Sequence, residues 1–267
     1  MIKHLLCAAA LIAPFNSAFA DAPESSPVTA RLVDGWQQPD GTRISAIQLT
    51  LAPGWKTYWR APGDAGIPPE FNWRGSRNIG GVAISWPTPE VFDQNGMRSV
   101  GYSHQVTLPL AVSPKQAGQP VEVNLTLDIG VCKDICVPET LSIKGVLDAI
   151  GSTPQPAIAA ALAEMPYTAT ESGAKGVTCD LSPSQDGLKI TAKLSLPSTG
   201  TTEHVVIEAG SPGIWVSEAT ASRSGNTLTA EALMVQQDGA MAIDRSTMRF
   251  TVLGSSHAVD LRGCSPG

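Results

Sequence analysis

The chain is short of positive charge: 18 Lys and Arg stand against 24 Asp and Glu, a formal net charge of -6. Holding nucleic-acid phosphates requires a basic surface, so that class of function is excluded. Charged residues of both signs make up only 16% and mean hydropathy is +0.03, a composition that folds rather than staying disordered. No Gly-x-Ser-x-Gly elbow and no His-Glu-x-x-His are present, which leaves hydrolase and metalloprotease chemistry without support. Gly63-Asp64-Ala65-Gly66 lacks the lysine and following helix of a phosphate loop and reads as a turn. Past the first 20 residues, no stretch is apolar for long enough to cross a bilayer as a helix.

What is there begins with an export pattern. Lys3 and His4 precede an apolar run from Leu5 to Phe15, and Ala18-Phe19-Ala20 supplies small-x-small cleavage residues. Residues 1–20 are therefore expected to be a signal peptide that carries Cys7 away with it. The product is expected to be exported and not membrane-spanning, with the bacterial periplasm as its compartment. Four cysteines remain, Cys132, Cys136, Cys179 and Cys264, an even count that suits two bridges in an oxidising compartment, with three pairings open.

Turn-formers such as Pro39-Asp40-Gly41, Pro62-Gly63-Asp64 and Asn95-Gly96 separate short alternating runs, which predicts an all-β fold. Strands are predicted at 29–34, 44–51, 82–86, 105–112, 121–131 and 137–146, packed as an immunoglobulin-like antiparallel β-sandwich over residues 28–149. Five of the six tryptophans (Trp36, Trp55, Trp59, Trp73 and Trp86) fall here and are read as core and inter-strand packing, together with Tyr58. Residues 150–167 are a linker with one short helix, Pro156–Met165, opened by proline, filled with alanine and stopped by Pro166. Residues 168–267 form a second, smaller β-sandwich-like domain with strands at 188–196, 204–209, 227–234 and 248–253. A Cys179–Cys264 bridge would close a loop of about 85 residues and act as a structural staple.

The most informative residues are Cys132 and Cys136. From Val121 to Val131 the odd positions are all apolar, and the even positions are Glu122, Asn124, Thr126, Asp128 and Gly130. Both cysteines fall in the even phase, so both sulfurs are expected on the wetted face of a hairpin. The Cys-x-x-x-Cys spacing, without strand–helix alternation around it, excludes a thioredoxin fold. A three-residue loop, Lys133-Asp134-Ile135, would bring the pair within bonding distance across antiparallel strands. So short a closure stabilises little. That leaves two readings: a bridge meant to open and close, or a small surface disulfide locking the hairpin. Lys133 favours a thiolate, whereas Asp128, Asp134 and Glu139 oppose it, so no strong acidity shift is expected.

Residues 54–69, Gly-Trp-Lys-Thr-Tyr-Trp-Arg-Ala-Pro-Gly-Asp-Ala-Gly-Ile-Pro-Pro, form one of four motifs occurring in order. The others are Trp86-Pro87-Thr88-Pro89-Glu90, Gly101-Tyr102 with Val106–Leu110, and Cys132–Pro138. Over roughly residues 30–148 the chain resembles the N-terminal periplasmic domain of DsbD-type thiol–disulfide reductases, particularly their copper-tolerance (Scs-type) relatives. The resemblance implies an immunoglobulin-like sandwich whose cysteine pair takes electrons from a thioredoxin-like protein or membrane thiol reductase and reduces exported disulfide-containing clients. It implies that Cys136 forms the mixed disulfide and Cys132 resolves it. It also implies a cap loop shielding the pair, which maps onto Phe92, Asp93, Gln94, Asn95 and Gly96, with Tyr102, Phe92 or Met97 supplying the shielding that an aromatic at position 94 would otherwise give. The cysteines are more closely spaced than in better-known members, and no transmembrane electron conduit is expected within this chain.

The leading expectation is thus a periplasmic thiol–disulfide exchange protein acting through Cys132 and Cys136, needing no cofactor or metal. Two alternatives stand beside it. One is a non-catalytic interaction module with two structural disulfides. The other is a Cu(I)-binding protein using Met97, His104 and the two cysteines as soft ligands.

Overall fold

In the computed structural model, residues 26–94, 96–148, 151, 153–211, 213–236 and 241–267 are described. The expected signal peptide and Asn95 lie outside them. Ten strands come first: β1 (Val28–Gln37), β2 (Arg43–Leu51), β3 (Lys56–Tyr58), β4 (Glu70–Asn72), β5 (Ile79–Ile84), β6 (Glu90–Gln94), β7 (Met97–Ser103), β8 (Gln105–Pro114), β9 (Val121–Cys132) and β10 (Cys136–Leu147). Helices α1 (Pro156–Ala163) and α2 (Ala169–Ser172) follow. Nine more strands complete the chain: β11 (Gly176–Ser184), β12 (Gly187–Ser195), β13 (Glu203–Glu208), β14 (Ile214–Val216), β15 (Thr220–Ser224), β16 (Thr227–Gln236), β17 (Arg249–Gly254), β18 (Ala258–Arg262) and β19 (Ser265–Pro266). The fold is all-β, as the alternating runs predict.

Two antiparallel sheets make the N-terminal sandwich. One has the order β1-β2-β8-β5; the other runs β10-β9-β3-β7-β6, with β4 also pairing β9. Their facing sides supply one apolar cluster, in which Ile47, Leu108 and Leu110 of the first sheet meet Val100, Leu125 and Leu127 of the second. Strand β2 is buried along almost its whole length because both of its faces are covered. Ile47 and Leu49 point into the sandwich, while Ile44 and Ala46 point outward beneath Ile158 of α1. The Gln155 side chain caps α1 by accepting from the backbone N–H groups of Ala157 and Ile158. The linker helix is therefore docked on the first sheet.

A second pair of sheets, β14-β16-β12-β11-β19 (with β15 on β16) and β13-β17-β18, encloses its own cluster around Ile190, Leu194, Leu228 and Phe250. The two sandwiches are in contact. Leu253 and Ala258 of the C-terminal sandwich pack into the apolar cluster of the N-terminal one. Cys179 and Cys264 are joined, tying β11 to the chain end across 85 residues, with Cα atoms 5.8 Å apart.

Candidate functional site

Strands β9 and β10 form a hairpin whose last register pair is Cys132 with Cys136. The turn between them is closed by Lys133 N–H donating to the Ile135 carbonyl at 3.0 Å. The two cysteines are disulfide-bonded, with Cα atoms 4.1 Å apart.

The two sulfur-bearing residues are not equivalent. Cys136 is exposed, next to an Ile135 that is 68% exposed, whereas Cys132 is only 1% exposed. The expectation that both lie on a wetted face is corrected for Cys132. The even face of β9 is open at Glu122 and Asp128 but buried from Gly130 onward. The cover is Tyr58. Its ring lies in a slot between Gly66 and Gly130: a Cβ on Gly130 would stand 3.1 Å from Tyr58 Cδ2 and 2.7 Å from Ile67 Cβ, and one on Gly66 would stand 2.9 Å from Tyr58 Cδ1. Two glycines thus admit the ring, and the ring then covers Cys132.

Tyr58 belongs to the site rather than to general packing, which corrects the sequence reading. Its hydroxyl is 2.7 Å from Cys132 Sγ and 3.3 Å from Cys136 Sγ. Burial raises the phenol's pKa above its ordinary value, so it stays protonated and able to donate. The signal in the sequence was Lys56-x-Tyr58, two residues on one face of a strand, opposite a glycine in the even phase of β9.

Lys56 is the residue between the hairpin and its neighbours. On β3 it pairs with Cys132 of β9 on one side and Ser103 of β7 on the other. It is 6% exposed, its Nζ donates to Ser99 Oγ at 3.3 Å, and it sits 4.7 Å from the centroid of the Phe92 ring. Desolvation lowers its pKa. Gly101 lets this diagonal run exist, because any Cβ there would strike the Thr57 backbone carbonyl.

The remaining predicted cap residues separate. Phe92 lies on β6, half-buried, against Lys56 and on the cysteine-bearing face by register with Ser99. Asp93 is exposed, Gln94 ends β6, and Gly96 turns the hairpin with φ +79°. Tyr102 cannot shield the sulfurs. It faces the opposite way into the sandwich core at 6% exposure and donates its hydroxyl to the Pro87 carbonyl at 2.8 Å, since alternation along β7 places it with Val100.

The Cu(I) grouping does not assemble. Met97 is 60% exposed at the hairpin tip, and His104 sits in a left-handed turn (φ 57°) with Nδ1 2.9 Å from Ser103 Oγ. Among the described residues, no group of three or more His, Cys, Asp or Glu is arranged to hold a metal ion. Cys179 is 1% exposed within the second apolar cluster, and Cys264 Sγ is 3.8 Å from Met248 Sδ.

No curated protein matches the chain in sequence. Among solved structures, the chain is similar to the N-terminal periplasmic domain of ScsB from Proteus mirabilis, with 22% identity and a TM-score of 0.68, covering 93% of this chain and 97% of that one. At that identity the likeness speaks for the fold alone, and it extends over both sandwiches. Residues 29–147 match the family described as the N-terminal domain of the thiol:disulfide interchange protein DsbD. The part of the chain similar to the DsbD N-terminal domain family is thus the sandwich that carries Cys132, Cys136, Tyr58 and Lys56.

Proposed function

We propose that this chain is a periplasmic thiol–disulfide exchange protein that relays reducing equivalents from a thioredoxin-like donor to exported disulfide proteins through Cys132 and Cys136. The observation that carries the reading is the asymmetry of the pair: one sulfur-bearing residue exposed at a hairpin rim, the other buried under a hydroxyl donor. In the Cys179–Cys264 bridge, by contrast, neither cysteine is exposed. The match of residues 29–147 to a thiol–disulfide interchange family supports the reading.

In this reading a donor thiolate attacks Cys136 Sγ. The Cys132–Cys136 bond breaks, a mixed disulfide forms on Cys136, and Cys132 leaves as a thiolate. Tyr58 donates a hydrogen bond to that developing charge, and the low dielectric around it strengthens the interaction. The donor's second thiolate then attacks its own mixed-disulfide sulfur and releases Cys136. Two electrons and two protons have passed from donor dithiol to this pair. Toward a client the steps reverse: Cys136 attacks the client disulfide, and Cys132 displaces the reduced client by re-forming the original bond. Residues 28–149 are the redox domain in this proposal, 150–167 the linker, and 168–267 a second β-rich domain.

Replacing both Cys132 and Cys136 by serine is expected to abolish electron exchange with a thioredoxin-like protein while the far-ultraviolet circular dichroism stays unchanged; retained exchange would sink the proposal. The burial of Cys132 favours one rival, a non-catalytic module with two structural bridges. A glutathione titration separates the two, because a structural bridge titrates below about -300 mV and an exchanging one above it.

A further inference from the structure

The contacts between the two sandwiches converge on the segment that follows Tyr58. Arg60 donates to the Glu208 carboxylate of β13 through Nε and Nη2, at 3.1 and 2.9 Å, and through Nη2 to Thr251 Oγ1 at 3.2 Å. Asp64 accepts from the backbone N–H of Glu218 at 3.0 Å, while the Glu218 carboxylate pairs with Arg98 of β7. Val100 N–H of β7 donates to the Pro62 carbonyl at 2.8 Å, and Trp59 N–H donates to the Val100 carbonyl at 3.0 Å. At the far end, the Ala65 carbonyl lies 3.5 Å from the Tyr58 hydroxyl, and Gly66 and Ile67 line the tyrosine's slot. The second sandwich thus grips residues 60–64, and residues 65–67 grip the tyrosine.

A cleft of about 520 Å³ lies against the same segment, with Pro62 and Gly63 on one wall and β13 and Trp215 on others. Apolar packing leaves that side of the segment unfilled, so the polar anchors carry the restraint. The Arg60–Glu208 fork is well shielded, with side chains 12% and 25% exposed, and its two parallel bonds resist rotation. A hydroxyl-to-sulfur hydrogen bond weakens steeply with distance and angle, so slack in this segment is felt at Cys132.

We infer that Glu208 and Glu218 are positioning residues for the redox pair: Glu208 through Arg60, and Glu218 through Arg98 of β7, the strand that binds Pro62, steady residues 60–67 and so hold the Tyr58 hydroxyl against Cys132 Sγ and stabilise its thiolate. This assigns the C-terminal sandwich the task of setting the reactivity of a site it does not contain. It rests on the redox reading above for its purpose, although its test needs no protein partner.

In the full-length chain the exposed bridge is reduced selectively and the ultraviolet thiolate absorbance is followed against pH. Tyr58→Phe removes a hydrogen bond to a charged group and should lower the thiolate population on the acid side of the titration about tenfold. A Glu208→Gln/Glu218→Gln variant should lower it roughly threefold, as expected when that bond is loosened rather than deleted. In the Tyr58→Phe background the same two glutamines should add nothing further, because their route to the sulfur is gone. Reversing one anchor with Arg98→Glu/Glu218→Arg should keep the wild-type profile. Glu231→Gln, which breaks the outlying 2.8 Å pair with Lys189, should do so too. A wild-type profile in the glutamine variant, or an equal shift added on top of Tyr58→Phe, would overturn the inference. If the double variant fails to fold, Glu208→Gln alone, which loosens the Arg60 fork, supplies the same test. Intact titrations with failed partner exchange would count against the redox reading only, and the converse against the positioning role only.

Discussion

The molecule carries two disulfides built on opposite plans. Cys179–Cys264 spans 85 residues and has one partner fully inside an aliphatic cluster. Cys132–Cys136 spans four, has one partner exposed, and is contacted by a buried hydroxyl. In the chain-entropy model the long closure restricts the unfolded state by about 4–5 kcal/mol and the short one by about 2 kcal/mol. The bridge with most to offer stability has one cysteine buried and the other half-buried, and the bridge with least to offer has an exposed cysteine at a rim. Burial and loop length together distinguish a staple from an exchangeable bond better than spacing alone.

That contrast can be broken in several ways. Replacing Cys179 and Cys264 by serine is expected to cost about 4–5 kcal/mol in urea unfolding and leave the chemistry of Cys132 and Cys136 intact wherever the protein stays folded. Replacing Cys132 and Cys136 should cost about 2 kcal/mol or less. Gly130→Val would drive a side chain into Tyr58 and Ile67, lowering stability by about 1–3 kcal/mol and slowing reduction of the short bridge by a small thiol. Tyr58→Phe should slow that reduction about tenfold with little change in unfolding, since it removes the donor to the leaving sulfur and keeps the ring in its slot.

The smallest effect expected is a pH dependence at the junction of the sandwiches. Burial, and then the nearby Arg98 charge, lower the pKa of His204 below the ordinary imidazole value of 6.5. Below that value the unfolded chain binds a proton that the folded chain refuses, so stability falls as pH drops from 6.5 through the depressed folded pKa. His204→Asn should flatten that part of the stability-versus-pH curve, as measured by thermal unfolding between pH 7 and 5.

How much of this was legible in the sequence divides along the same line. The alternation defines strands β9 and β10 nearly to the residue because each has one apolar face and one polar face. Strands β3, β6 and β7, which build the site, leave no such pattern in the sequence. Lys56, Thr57 and Tyr58 are all buried, so β3 carries no alternation, and it is only three residues long. In β6, a polar Asp93 and Gln94 follow Val91 and Phe92. The burial of Cys132 could not be read from β9 at all, because its cover comes from Tyr58, 74 residues away in sequence. Tyr58 and Trp59 are adjacent aromatics, yet alternation sends Trp59 to 0% exposure in the core and Tyr58 to the sulfurs. A local pattern fixes which face a residue takes, but not what a distant segment lays over that face.

The most direct measurement is mixed-disulfide capture by the two single variants in the full-length protein. With Cys132→Ser, the remaining Cys136 should hold a thioredoxin-like partner as a stable covalent complex; with Cys136→Ser, the buried Cys132 should capture little or none. Equal capture by both variants, or capture by Cys136→Ser alone, would contradict the assignment of one sulfur to attack and the other to shelter.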